Sequence, residues 1–240
     1  MRHLEAGDLT LDLGASRYVA RVHRLRKGDP LLLFHPSEAR EADATIVEIE
    51  RSVVRCHVRE VRASTLRARR QVTLLQAVGK GEKLDAIVRD ATELGATGVV
   101  VVETRRSVVR LGDKREERLE RLRRVAIEAA RQCGRGDAPD ILGPLPWGEA
   151  LRTASRERAL KLCLWERATQ SAGEALCRLA WDQPLVVAAG PEGGLDEKEV
   201  ELARELDFAI VSLGPFILRT ETVAAAVLGA ALLLPSVRDP

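Results

Sequence analysis

Two regimes of hydrophobic spacing divide the chain. Over residues 1–65 apolar and polar positions mostly alternate, the period of a strand with one covered face. Leu9, Leu11 and Leu13 alternate with polar neighbours, and Leu31 to Phe34 is a short apolar run. Thr45 to Ile49 and Ser52 to Val61 read as a hairpin turning near Glu50 and Arg51. Ser16 to Arg26 reads as a helix that Gly28 ends. Several short strands in so few residues predict a small β-barrel. Arg62 to Arg70 is polar and Arg-rich with no apolar period, and reads as a linker.

Beyond it, continuous apolar runs alternate with amphipathic stretches. Val72 to Val78, Gly98 to Val102, Leu160 to Leu164, Leu185 to Ala189 and Phe208 to Leu213 read as strands. Leu84, Ile87, Val88, Ala91 and Leu94 fall at helical spacing before Gly95, and Glu116 to Cys133 repeats that spacing. Asp196 followed by Glu199 predicts a capping box for a helix over Asp196 to Leu206. Thr222 to Leu234 reads as an apolar helix stopped by Pro235. Strands alternating with helices predict an α/β domain with a parallel sheet covered on both faces.

With 240 residues and 45% hydrophobic content, one or two cores are affordable. The net charge of +2 selects no partner, but its distribution is uneven. Residues 51–70 carry seven arginines against Glu60 alone, and Arg105 to Arg135 is also basic. Such clusters either neutralise phosphates or form a solvated Arg-rich surface. Cys56, Cys133, Cys163 and Cys177 form no CxxC pair, and His3, His23, His35 and His57 have no helical ligand spacing, so no metal site is expected. No apolar run reaches membrane-spanning length; a cytoplasmic protein is expected. Gly79-Lys80-Gly81-Glu82-Lys83 lacks the spacing of a nucleotide phosphate loop, and neither GxGxxG nor GxSxG occurs.

In open α/β sheets ligands bind beyond the carboxyl ends of strands. That points to two segments. Gly190-Pro191-Glu192-Gly193-Gly194 leaves a buried strand and enters a capped helix, where glycines permit a sharp turn and close approach to a ligand. Leu213 to Thr222 also runs from strand to helix. Its Phe216, Ile217 and Leu218 could make it a buried connector, but Arg219, Thr220, Glu221 and Thr222 crowd polar groups at a helix start, which is costly to bury without a task.

At these loops the sequence resembles the RsmE family of SPOUT-class methyltransferases. The resemblance rests on GPEGG at 190–194 and LGPxxLRTET at 213–222. QAVGKGEKLD (76–85), ATELG (91–95), RSVV (106–109), EAARQCGR (128–135) with Pro139-Asp140-Ile141, and RVHRLRKGD (21–29) support it. The resemblance implies a PUA-like RNA-binding β-barrel over residues 1–68 and a SPOUT domain over 72–240 with a deep trefoil knot. It implies methylation of N3 of a uridine in 16S rRNA of the small ribosomal subunit, with S-adenosyl-L-methionine as cofactor, by a homodimer. Leu164, Gly190, Pro191, Glu192, Gly193, Gly194, Leu213, Gly214, Leu218, Thr220 and Thr222 would form the cofactor site. Arg219 would stabilise the uracil anion or clamp a phosphate, and Glu221 would orient Arg219 or serve as base. Arg21, Arg24, Arg131 and Arg135 would hold RNA phosphates. Phe216 stands where the family usually has Arg, and His23 where it has Leu. The competing readings are a SPOUT enzyme acting on another RNA such as tRNA, and a non-catalytic RNA-binding module.

Overall fold

The computed structural model describes residues 4–36, 38–51, 53–79, 83–107, 115–180 and 182–234. His3, Ser52, Lys80 to Glu82, Val108, Val109 and Pro235, which entered the sequence reading, lie outside them. The chain forms two units, residues 1–67 with 134–138, and residues 68–133 with 139–240.

In the first unit β1 (Gly7–Thr10), β2 (Pro30–His35), β3 (Arg40–Glu50) and β4 (Val53–Ala63) make an antiparallel sheet in the order β1-β4-β3-β2. Among the described residues the outer strands β1 and β2 do not pair with each other. The Leu9-Leu11-Leu13 alternation is not one strand. Asp12 Oδ1 accepts from Ala15 N at 2.8 Å and caps α1 (Leu13–Arg17), which leaves Leu13 exposed. The helix expected from Ser16 therefore starts earlier, and it widens into a π turn over Tyr18–Val22. The expected linker also begins too early: Arg62 lies within β4 and donates to Glu41 at 3.0 Å and Asp43 at 2.6 Å.

Glu41 is buried, which by itself raises its pKa, but the Thr65 N–H, the Ser64 hydroxyl and Arg62 outweigh that and hold it below 4.5. Next to this cluster lies a segment from far along the chain. Gly136 N donates to Leu66 O at 2.8 Å, and a Cβ on Gly136 would fall 1.7 Å from Ser64 Oγ, so only glycine fits.

The second unit is a seven-stranded sheet, all parallel, built from β5 (Val72–Ala77), β6 (Gly98–Glu103), β7 (Asp140–Pro146), β8 (Leu160–Leu164), β9 (Gln170–Ser171), β10 (Leu185–Ala189) and β11 (Ala209–Ser212). The order is β7-β6-β5-β10-β8-β11-β9. The chain lays down β5, β6 and β7 outward, and later inserts β10 between β5 and β8. The apolar run of β10 follows from that central place. Leu185, Val187 and Ala189 face α2 (Lys83–Glu93), α3 (Arg115–Cys133), α5 (Ala172–Leu176) and α7 (Thr220–Leu233). Val186 and Ala188 face α4 (Trp147–Ser155) and α6 (Glu197–Glu205).

The capping box of α6 is present: Asp196 accepts from Lys198 N and Glu199 N, and Glu199 Oε2 accepts from Asp196 N at 2.9 Å. Two boundaries differ from the sequence reading. β11 ends at Ser212, leaving Leu213 in the following loop, and α7 begins at Thr220. The sequence reading did not resolve β7, α4, α5 or β9; for α4 the signal was present, with Trp147, Ala150, Leu151 and Ala154 at helical spacing on one buried face.

Candidate active site

Three parallel strands, β8, β10 and β11, end at one cavity of about 280 Å³. Leu164 closes β8, Gly190 follows β10, and Ser212 closes β11; all three line it. The floor is apolar, with Leu164, Leu195, Val211, Leu213, Leu218 and Val223. Pro191 to Gly194 form one wall and Gly214, Phe216 and Ile217 another. Thr220, at the first turn of α7, lines the cavity and is buried.

So Leu164, Gly190, Pro191, Glu192, Gly193, Gly194, Leu213, Gly214, Leu218 and Thr220 are brought together. Thr222, Arg219 and Glu221 are not among the lining residues. Arg219 is exposed at the N-cap of α7, where its carbonyl accepts from Val223 N at 2.9 Å. Glu221 turns instead toward Lys83, with Oε2 3.9 Å from Nζ. Phe216 and Ile217 are 80% and 88% exposed, so the reading of this loop as a buried connector fails: they form an apolar lip.

Trp165 and Glu166, which directly follow β8, also line the cavity and were missed. The strand-end rule that selected Leu164 applies equally to them. Trp165 N donates to Val211 O at 2.9 Å, and Arg167 lies 5.9 Å from the Trp165 ring centre. Among the described lining residues the charged side chains are the carboxylates of Glu166 and Glu192. The site is therefore suited to a partly apolar ligand that carries positive charge.

The 190–194 loop is held from outside. Arg106 Nη1 donates to Gly193 O at 2.9 Å, Arg105 N to Glu199 Oε1 at 2.8 Å, and Arg105 Nη1 to Asp196 Oδ2 at 2.9 Å. The N–H of Glu199, followed by Arg105 and the Lys198 N–H, keeps the Asp196 carboxyl below its ordinary 3.8. Beneath the loop, the fully buried Gln76 at the end of β5 donates from Nε2 to Gly190 O at 3.5 Å.

Of the arginines expected to meet phosphate, Arg21 and Arg24 are exposed. Arg131 pairs with Glu128 at 2.8 Å. Arg135 departs from expectation. It is 5% exposed, and its Nε and Nη2 bond Asp137 at 2.9 and 2.8 Å, so its guanidinium braces the 134–138 segment instead of facing solvent.

Residues 66–232 match the family model of the RNA methyltransferase domain. A Bacillus subtilis protein named ribosomal RNA small subunit methyltransferase E is 30% identical over 218 residues, 89% of this chain and 85% of that one. The chain belongs to the ribosomal RNA small subunit methyltransferase E family. A structure of the family's protein from Neisseria gonorrhoeae, bound to S-adenosyl methionine, superposes with a TM-score of 0.85 at 26% identity, covering 95% of this chain and 93% of the other. A Legionella pneumophila protein solved with the same cofactor gives 0.84 at 27% identity, over 94% and 92%. Every residue lining the cavity lies within the matched methyltransferase region.

Proposed function

We propose that this chain transfers the methyl group of S-adenosyl-L-methionine to N3 of a uridine in 16S rRNA of the small ribosomal subunit. The observation that carries the reading is the cavity at the joint ends of β8, β10 and β11, walled by two glycine-containing loops, in a member of this family. The residues present fit the cofactor. The apolar floor suits a purine, the backbone of Gly190 to Gly194 offers polar edges, and the Glu166 carboxylate complements a cation.

When bound, the cofactor supplies a methyl group already activated by a positive sulfonium. The protein must align it with uridine N3 and manage the N3 proton, whose loss leaves negative charge on the uracil. Arg219, exposed at the start of α7, is placed to meet that charge or an RNA phosphate. Glu221 supports α7 from beside Lys83 and is not given the role of base. The exposed Arg21 and Arg24 hold RNA on the first unit, which serves as the PUA-like RNA-binding element. Insertion of β10 between β5 and β8 supports a knotted path. The exposed Phe216 and Ile217 support a homodimer that covers the cavity's lip.

The test is methyl transfer from labelled cofactor to small subunits, and to free 16S rRNA and tRNA, with mapping of the product. Product at N3 of a 16S uridine is expected. Product on tRNA would move the reading to another RNA. No transfer and no cofactor binding would leave a non-catalytic RNA-binding module.

A further inference from the structure

We infer that Lys83 is a positioning residue for methyl transfer: its ammonium ties the 190–194 loop to the first turn of α7. The inference rests on the cofactor reading above. Lys83 opens α2 and is absent from the cavity wall, yet it reaches the 190–194 loop of that wall and the first turn of α7. Its Nζ lies 3.1 Å from Glu192 Oε1 and 3.9 Å from Glu221 Oε2.

The neighbouring backbone is shaped for this contact. A Cβ on Gly79 would stand 2.9 and 3.0 Å from the two Glu192 carboxylate oxygens, so the turn after β5 leaves the Glu192 carboxylate its room. One strand end thus grips the loop twice, through Gln76 at Gly190 and through Gly79 and Lys83 at Glu192.

The energetics favour a tie over an ordinary surface ion pair. The three side chains are only partly exposed, at 38% for Lys83, 25% for Glu192 and 26% for Glu221. Among the described residues Glu221 Oε2 is buried and has no hydrogen-bond donor, and the Lys83 ammonium stands beside it to offset its charge. Without Lys83, the Glu192 carboxylate on the loop and the Glu221 carboxylate on α7 repel each other, which works against the loop's hold on α7. The loop that receives the cofactor and the helix start that carries Arg219 would then lose their common anchor. Small misplacements of this kind act strongly on transfer rates.

The test compares Lys83→Met, Lys83→Arg and Lys83→Met/Glu192→Gln with the wild type. In cofactor-free protein, Lys83→Met should speed amide hydrogen exchange over residues 190–195 and 219–223 and leave β10 protected. It should weaken calorimetric binding of S-adenosyl-L-methionine about tenfold. It should lower turnover further at saturating cofactor. Lys83→Arg should recover most of each loss, and Glu192→Gln should partly restore slow amide exchange to Lys83→Met by removing one repelling charge. Wild-type exchange and binding in Lys83→Met would overturn the inference. So would equal damage in Lys83→Arg, which would assign the effect to packing of the lysine stem. A wild-type protein that neither binds cofactor nor methylates RNA defeats the functional reading instead, while the exchange comparison still decides the tie.

Discussion

Arg106 and Gly193, 87 positions apart, are joined by a 2.9 Å hydrogen bond from guanidinium to carbonyl. The bond fixes the outer edge of the 190–194 loop from the segment that follows β6. Arg106→Ala should therefore weaken cofactor binding about fivefold. Melting temperature should stay nearly unchanged because the side chain is exposed. Titration calorimetry checks this; wild-type affinity would show that the loop holds its shape without Arg106.

Gly190 tolerates no side chain. A Cβ there would approach Leu195 Cγ to 2.9 Å and Leu195 N to 3.3 Å, and Leu195 is buried. Gly190→Ala should lower stability by about 1–3 kcal/mol and impair cofactor binding, as overpacking does. Chemical denaturation with and without cofactor measures both effects.

Arg219 lies outside the cavity wall, which separates its contribution from cofactor binding. Arg219→Ala should reduce turnover about a hundredfold, the scale of losing one charge-stabilising donor. The cofactor dissociation constant should change little. A large loss of affinity with normal turnover at saturation would place Arg219 in the cofactor site instead.

The α6 cap carries a pH signature. The depressed Asp196 carboxyl contributes stability that is complete above 3.8 and is lost as pH falls through its lower folded value. Asp196→Ala should lower the melting temperature at neutral pH. It should also flatten the acid limb below 3.8, because the variant has no such group to protonate. An unchanged acid limb would assign acid loss to other carboxylates such as Glu41.

Thiol chemistry offers an independent check on the core. Burial, aided by the charge of Glu199, pushes the Cys163 thiol up to about 12, and burial also raises Cys56. Cys177 is exposed. In the folded protein a thiol reagent at neutral pH should modify Cys177 and spare Cys56 and Cys163. Labelling of Cys163 without unfolding would contradict its place on β8.

Much of the architecture was legible because its causes are local. The five-residue apolar run of β10, the Asp196–Glu199 cap and the glycines at 190–194 each state a backbone requirement within a few residues. Position at strand ends singled out both loops, the family resemblance joined them, and the structure brings them to one cavity. Leu13 misled for a local reason too: Asp12 next to it caps a helix, and a cap overrides a two-residue alternation.

What the sequence could not carry was partnership across distance. Nothing near Arg135 shows that the 134–138 segment folds against Ser64 and Leu66, which turns an apparent phosphate ligand into a buried brace. Nor do the local patterns around Lys83, Glu192 and Glu221 show one ammonium between two carboxylates, or that Arg106 reaches Gly193. The sequence by itself determined most strands of the parallel sheet, the α6 cap and the glycine turns, and its motifs determined the family and the two candidate loops. Only the tertiary structure decided which charges meet. Side-chain pairing depends on the strand order that sets β10 between β5 and β8, and that order is fixed by burial of the whole sheet instead of by any short stretch of chain.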